Sequence, residues 1–254
     1  MYKCLIFFLL FFTTLSASNP SAFILAAGNL KFVFPQMIQE FYKKYPDASV
    51  HIQYGASGYL AESILKGKKY DIFFSADRKY PQKVYDAKRS ERAPKNYAQG
   101  ILILLSPIDI SLADNGLKVL NNKKIKNIIV ANKTHSPYGV ATMEVLQHSK
   151  CCKTTIKKIR YSLDLLTVID NVIWNGDAGF LAKSALSLIP EDKRKEGVDW
   201  IELDETLYSP IIQSYVVSQE GMQNQNAKMF LHFIESNQGQ AIFIKNGYKN
   251  INLK

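Results

Sequence analysis

Residues 54–77 read YGASGYLAESILKGKKYDIFFSAD, and the order of patterns inside them decides the fold. Val50, Ile52 and Tyr54 alternate with polar neighbours as a strand that runs into the Gly55–Gly58 turn. Leu60, Ile64 and Leu65 then recur at helical spacing until Gly67 stops them, and Tyr70–Ser75 is a short apolar run of the kind buried in a sheet. A glycine and serine loop that opens a helix aims backbone N–H groups and a hydroxyl at one spot. The helix macrodipole adds partial positive charge there, so a small anion can be held without a full countercharge.

Working outward, Ala22–Ala27 is a continuous apolar run, which predicts a strand covered on both faces of a parallel sheet. Gly28 permits a sharp turn, and Asn29 is the expected N-cap of a helix marked by Met37, Ile38, Phe41 and Tyr42 and ended by Pro46. Pro35 fits either the first turn of that helix or a kink. Strand, helix, strand, helix, strand with short connections is half of an open parallel sheet, in which ligands bind beyond the carboxyl ends of the strands. Asn29 and Ser57 both fall at that edge.

Downstream, Tyr80–Asn96 is charged and helix-compatible, and Ile101–Leu105 opens a second alternating region. Strands are expected at Lys126–Ala131, Ala178–Leu181 and Val198–Leu203, with helices at Pro137–His148 and Leu163–Val172. Tyr208–Ser218 reads as a further strand before helical segments at Asn226–Ile234 and Gly239–Lys245. Since domains usually hold ~100–150 residues, the expectation is an α/β protein of two lobes. Each lobe is a mostly parallel sheet flanked by helices, and two hinge crossings join them. The boundaries expected are residues 18–100 plus 211–254 for the first lobe and 101–210 for the second.

The composition excludes a disordered chain, with 47% of residues hydrophobic and 21% charged. Met1–Lys3 carries one positive charge, residues 5–15 are almost wholly apolar, and Leu15-Ser16-Ala17 is a small-residue ending. Together they predict a signal peptide over residues 1–17 and export to the periplasm. The apolar run is shorter than the ~20 residues a membrane span needs. The formal net charge of +10 is spread over short clusters such as Lys66/Lys68/Lys69 and Lys193/Arg194/Lys195, without a basic stripe interleaved with aromatics, so nucleic acid is not an expected partner. Cys151 and Cys152 are adjacent, closer than ordinary disulfide geometry prefers, and supply no metal-ligand spacing.

Three pieces carry a resemblance: Ala26-Ala27-Gly28-Asn29-Leu30, Gly55-Ala56-Ser57-Gly58-Tyr59-Leu60-Ala61 and Tyr70–Asp77. In order and spacing the chain resembles the periplasmic molybdate-binding proteins of ABC importers. Pro137-Tyr138-Gly139, residues 175–180 (NGDAGF), Tyr208-Ser209-Pro210, Gly239-Gln240-Ala241 and Asn246-Gly247-Tyr248 agree with it. The resemblance implies a monomeric, non-enzymatic, hinge-closing receptor. It would hold molybdate or tungstate between its lobes as ligand, use no cofactor and no direct cation ligand, and deliver the anion to a membrane permease. It also implies an oxyanion site made of neutral donors: Asn29, Ser57, Tyr138 and, through its main-chain N–H, Leu165. Many relatives place a tyrosine hydroxyl where Ala182 stands here, which raises the expectation that the Tyr138 hydroxyl substitutes for it.

Other readings are weaker. Ser57 lies in Gly-Ala-Ser-Gly, which lacks the spacing of a nucleophile elbow, so hydrolase chemistry is not expected. His51, His135, His148 and His232 lack metal-ligand spacing. A receptor for sulfate, phosphate or a small organic ligand is the main alternative, and a ligand-sensing regulator domain is disfavoured by the leader. A mismatched anion that leaves buried donors unpaired would be rejected, and a pocket of donors without an acceptor would further disfavour a protonated oxyanion, so sulfate and phosphate are expected to bind far more weakly than molybdate.

Overall fold

The computed structural model describes residues 20–107, 110–149, 155–162, 165–175 and 177–251. The expected leader at 1–17, Cys151, Cys152, and Leu163 and Asp164 lie outside the described residues. In chain order the elements are β1 (Ala22–Ala27), α1 (Phe34–Lys44), β2 (Val50–Gly55), α2 (Ser57–Leu65), β3 (Ile72–Ser75), α3 (Lys79–Asp86), β4 (Lys95–Gly100) and β5 (Leu102–Leu105). They continue with α4 (Leu112–Asn115), β6 (Ile128–Ala131), α5 (Pro137–His148), β7 (Ile159–Ser162), α6 (Leu165–Asn175), β8 (Ala178–Ala182) and β9 (Trp200–Glu202). The chain closes with β10 (Ile211–Val217), α7 (Gln225–Glu235), α8 (Asn237–Lys245) and β11 (Tyr248–Lys249).

Two sheets result. The first has the order β11-β4-β10-β3-β1-β2 and the second β7-β6-β8-β5-β9. Each is mixed: β1 pairs parallel with β2 and β3, and β6 pairs parallel with β7 and β8. The antiparallel ladders come from strands next to the crossings, β10 against β3 and β4, and β5 against β8 and β9. The chain passes between sheets at Ile101, between β4 and β5, and again between β9 and β10.

Several local expectations change. Asn29 does not cap a helix by its side chain: it sits inside a 3-10 turn over Gly28–Phe32, and α1 begins later, with Pro35 in its first turn. The charged stretch after Tyr80 is helical only to Asp86, and its end is strand β4. Strands β4, β7 and β11 were not legible as apolar runs, because exposed Lys95, Arg160, Tyr161 and Lys249 and half-buried Asn96 and Gln99 interrupt them.

Beneath the first sheet lies an aromatic cluster in which Phe230 of α7 meets Phe34, Phe41 and Phe74 edge-on at 5.2 to 6.2 Å. All four are fully buried, and edge-to-face rings add to the ordinary gain from burial. The second sheet has its own core around Leu102, Leu104, Val130 and Phe180. Phe32, the last residue of the 3-10 turn in the first lobe, packs into a cluster with Ile103, Val168 and Ala185 of the second. Phe230→Ala should therefore cost about 3–5 kcal/mol of unfolding free energy in urea denaturation. A loss under ~1 kcal/mol would show that this cluster does not hold the first lobe together.

Candidate functional site

Where the carboxyl ends of the two parallel strand groups face each other there is a cavity of about 380 Å³. Ala27, Gly28 and Asn29 line it after β1, Gly55, Ala56 and Ser57 after β2, and Ala76 after β3. Across from them stand Ala131 at the end of β6, Ser136, Pro137 and Tyr138 at the start of α5, and Thr167 and Asp170 of α6. Three of the four expected residues thus meet on one cavity. Leu165 opens the helix that carries Thr167 and Asp170, and its first-turn N–H has no intrahelical acceptor by helix geometry.

Each donor has a distinct local cause. Ser57, 1% exposed, accepts the Ala76 N–H at 3.0 Å with its Oγ, which leaves the hydroxyl hydrogen for a ligand. At the start of α5, Ser136 accepts the Gly139 N–H at 3.4 Å and Pro137 has no N–H, so the Tyr138 amide is the uncapped donor of that turn. Asn29 is 2% exposed. Its Nδ2 donates to Gln213 Oε1 and to the Tyr248 hydroxyl, each at 2.9 Å, and its Oδ1 is buried without a partner.

Tyr138 is a buried residue rather than an exposed aromatic, and its hydroxyl accepts Gln213 Nε2 at 3.0 Å. Burial, with Tyr248 nearby, pushes this phenol well above the ordinary value of 10.0, so it stays protonated. Ala182 is fully buried in β8 opposite Leu102 and contributes nothing to the cavity wall. Tyr54, also on the wall, is pushed up to about 12 by burial, with the Lys31 ammonium 5.9 Å from its ring. The wall is not purely donors: Asp170 and Lys31, both exposed, place one charge of each sign on it. Among the described residues no group of three or more His, Cys, Asp or Glu side chains could hold a metal ion.

The two lobes touch across the cavity. Gly58 of α2 donates its N–H to the His135 carbonyl at 3.0 Å, the Tyr80 hydroxyl donates to the Thr134 carbonyl at 2.7 Å, and Tyr59 stacks on His135 with centroids 3.8 Å apart. Gln213 on β10 and Tyr138 on α5 add a fourth contact. Asp71 and Asp77 hold turns and strand ends around β3. Asp71 accepts the Phe23 N–H at 2.7 Å, and Asp77 accepts the Ser75 hydroxyl at 2.9 Å and the Tyr80 N–H at 3.1 Å. Sequence reasoning missed Gln213, Tyr97 and His135. The available signal for Gln213 was an amide inside a largely apolar strand, since a buried polar side chain needs partners.

The model of the bacterial extracellular solute-binding proteins matches residues 23–249. This chain belongs to that family. It is 26% identical over 202 residues to the molybdate-binding protein ModA of Rhodobacter capsulatus, covering 79% of this chain and 77% of that protein. The molybdate-binding protein ModA of Escherichia coli is 23% identical over 245 residues, covering 89% and 87%. Among solved structures, the periplasmic molybdate-binding protein of Azotobacter vinelandii superposes with a TM-score of 0.80 at 26% identity, over 91% of this chain and all of that one. The family binds solutes rather than transforming them, and the two-domain architecture of two sheets flanked by helices is shared.

A Cβ at Gly58 would stand 2.9 Å from the His135 Cα and 2.8 Å from the Tyr80 hydroxyl. Gly58→Ala should therefore prop the lobes apart, read as a larger radius of gyration in small-angle scattering with a melting temperature near that of the wild type. An unchanged radius would mean that this contact does not set the gap.

Proposed function

We propose that this chain captures molybdate or tungstate between its lobes outside the cytoplasm and hands it to the permease of an ABC importer. The observation that carries this reading is the convergence of neutral donors from both lobes on one cavity: the Ser57 hydroxyl and the Tyr138 amide, with the buried Asn29 carboxamide and the start of α6 beside them. An oxyanion buried without a counter-cation is tolerated only when its oxygens are hydrogen-bonded. Donors divided between lobes all reach it only when the cleft is shut, so capture and closure are one event. Two molybdate-binding relatives and a molybdate-binding structure support the ligand class. In this reading the lobes are residues 18–100 plus 211–254 and residues 101–210, residues 1–17 direct export to the periplasm, and the receptor works as a monomer.

Calorimetric titration tests the ligand. Molybdate and tungstate should bind tightly and sulfate and phosphate far more weakly, and sulfate binding as well as molybdate would favour a general oxyanion receptor instead.

The Ser57 contribution is separable. Ser57→Ala removes a donor to a charged ligand, worth about 1.5–3 kcal/mol, and so should weaken molybdate binding about 10- to 150-fold. An affinity within about twofold of the wild type would remove Ser57 from the site.

A further inference from the structure

Gln213 is fully buried on β10, and its two amide ends touch Asn29, Tyr97 and Tyr138. With the oxygen end toward Asn29 and Tyr97, the hydrogens do not match the acceptors. The single Tyr97 hydroxyl hydrogen is sought both by Gln213 Oε1 at 2.7 Å and by the Ser75 carbonyl at 3.0 Å. Meanwhile Asn29 Oδ1, on a residue of the cavity wall, has no donor.

The nitrogen and oxygen ends of a carboxamide are nearly alike in size and differ only in who donates. Turning both amides end for end keeps every distance and reassigns the hydrogens. The Gln213 nitrogen then donates to the Tyr97 oxygen and to the Asn29 oxygen, and the Tyr97 hydrogen goes to the Ser75 carbonyl. Tyr138 donates to the Gln213 oxygen. Tyr248, whose hydroxyl lies 2.9 Å from the Asn29 amide and 3.1 Å from the Asn29 carbonyl, gives its single hydrogen to the carbonyl, the Asn29 amide oxygen being served by Gln213. Each of these acceptors now has a hydrogen, and one group is left over. It is the NH2 of Asn29, with both its hydrogens at the buried position that has no protein partner.

We propose that Gln213 is a positioning residue for anion selectivity, holding the Asn29 amide with its nitrogen toward the cleft. This rests on the reading of the cleft as an oxyanion site. In that orientation Asn29 offers a hydrogen to a deprotonated oxygen and has no lone pair there for a protonated one. The opposite orientation would place a lone pair against the ligand. The Tyr138 hydrogen is then engaged by Gln213, so the hydroxyl joins the lobes while its backbone N–H serves the anion. Tyr138 thereby does not substitute for a tyrosine at Ala182.

The test is a double-mutant cycle of Asn29→Ala and Gln213→Met, by calorimetry with whichever of molybdate, tungstate, sulfate and phosphate the wild type binds. Gln213→Met alone should weaken binding about tenfold, and in the Asn29→Ala background by less than about twofold, because Gln213 acts through Asn29. Additive losses would overturn the proposal, since a general structural defect adds to the loss of Asn29. Neutron diffraction of the deuterium-exchanged, ligand-free wild type provides a second, anion-independent readout. Deuterium on the Gln213 end facing Tyr97 is the expected result, and deuterium on the end facing Tyr138 refutes the orientation. If none of the four anions binds, the functional reading fails while the neutron result still decides the orientation.

Discussion

The contact between Gln213 and Tyr138 is the constraint on which the closed molecule depends. Both residues are buried, one on a strand of the first sheet and one at the head of a helix on the second. A buried amide end and a buried phenol are costly when unpaired, so separating the lobes must return the Tyr138 hydroxyl and the Gln213 end that faces it to water or leave them unsatisfied. Gly100, beside the crossing at Ile101, makes the approach possible, because a Cβ there would overlap the Tyr138 hydroxyl. The crossing strands thus do two things: they connect the sheets, and they carry the polar group that senses whether the sheets have come together.

Charge is handled locally rather than globally. The formal excess of +10 is scattered over the chain, and on the cavity wall Lys31 is offset by Asp170. What remains for an anion is dipolar: a hydroxyl whose lone pair is already engaged by Ala76, an amide side chain, and helix starts whose first N–H groups have no acceptor. Fixed dipoles of this kind select by geometry, since each must meet an oxygen of the ligand at hydrogen-bonding distance. Bulk charge would attract any anion.

Much of this was legible in the sequence because it depends on local pattern. Gly55–Gly58 followed by Leu60 and Ile64 can form little other than a strand-to-helix turn, and α5 begins at Pro137 as its capping signature requires. Asn29 and Ser57 were placed at one sheet edge by counting elements alone. The partners of Asn29 were not legible, for a physical reason: Gln213 and Tyr248 lie 184 and 219 residues away along the chain. Only the antiparallel ladders of β10 and β11 on β4 bring them there. No periodicity in β4 or β11 announces those ladders, and the mistaken cap assignment for Asn29 followed from the same gap. Its side chain is engaged by distant residues instead of by the following turn.

The contacts between the lobes at the mouth of the cavity are weaker in kind. Tyr59 is 45% exposed even while stacked on His135, and the Tyr80 hydroxyl meets a carbonyl at the surface. Hydrogen bonds with water close by contribute only ~1 kcal/mol net, so this rim can guide closure without locking it. A ligand moves an open–closed equilibrium by no more than its differential affinity for the two states. With a weak rim, most of that difference must come from the interior, where Ser57, Asn29 and the start of α5 face one another. The division between a wet rim and a dry interior follows from where the chain places its water-accessible and its buried polar groups.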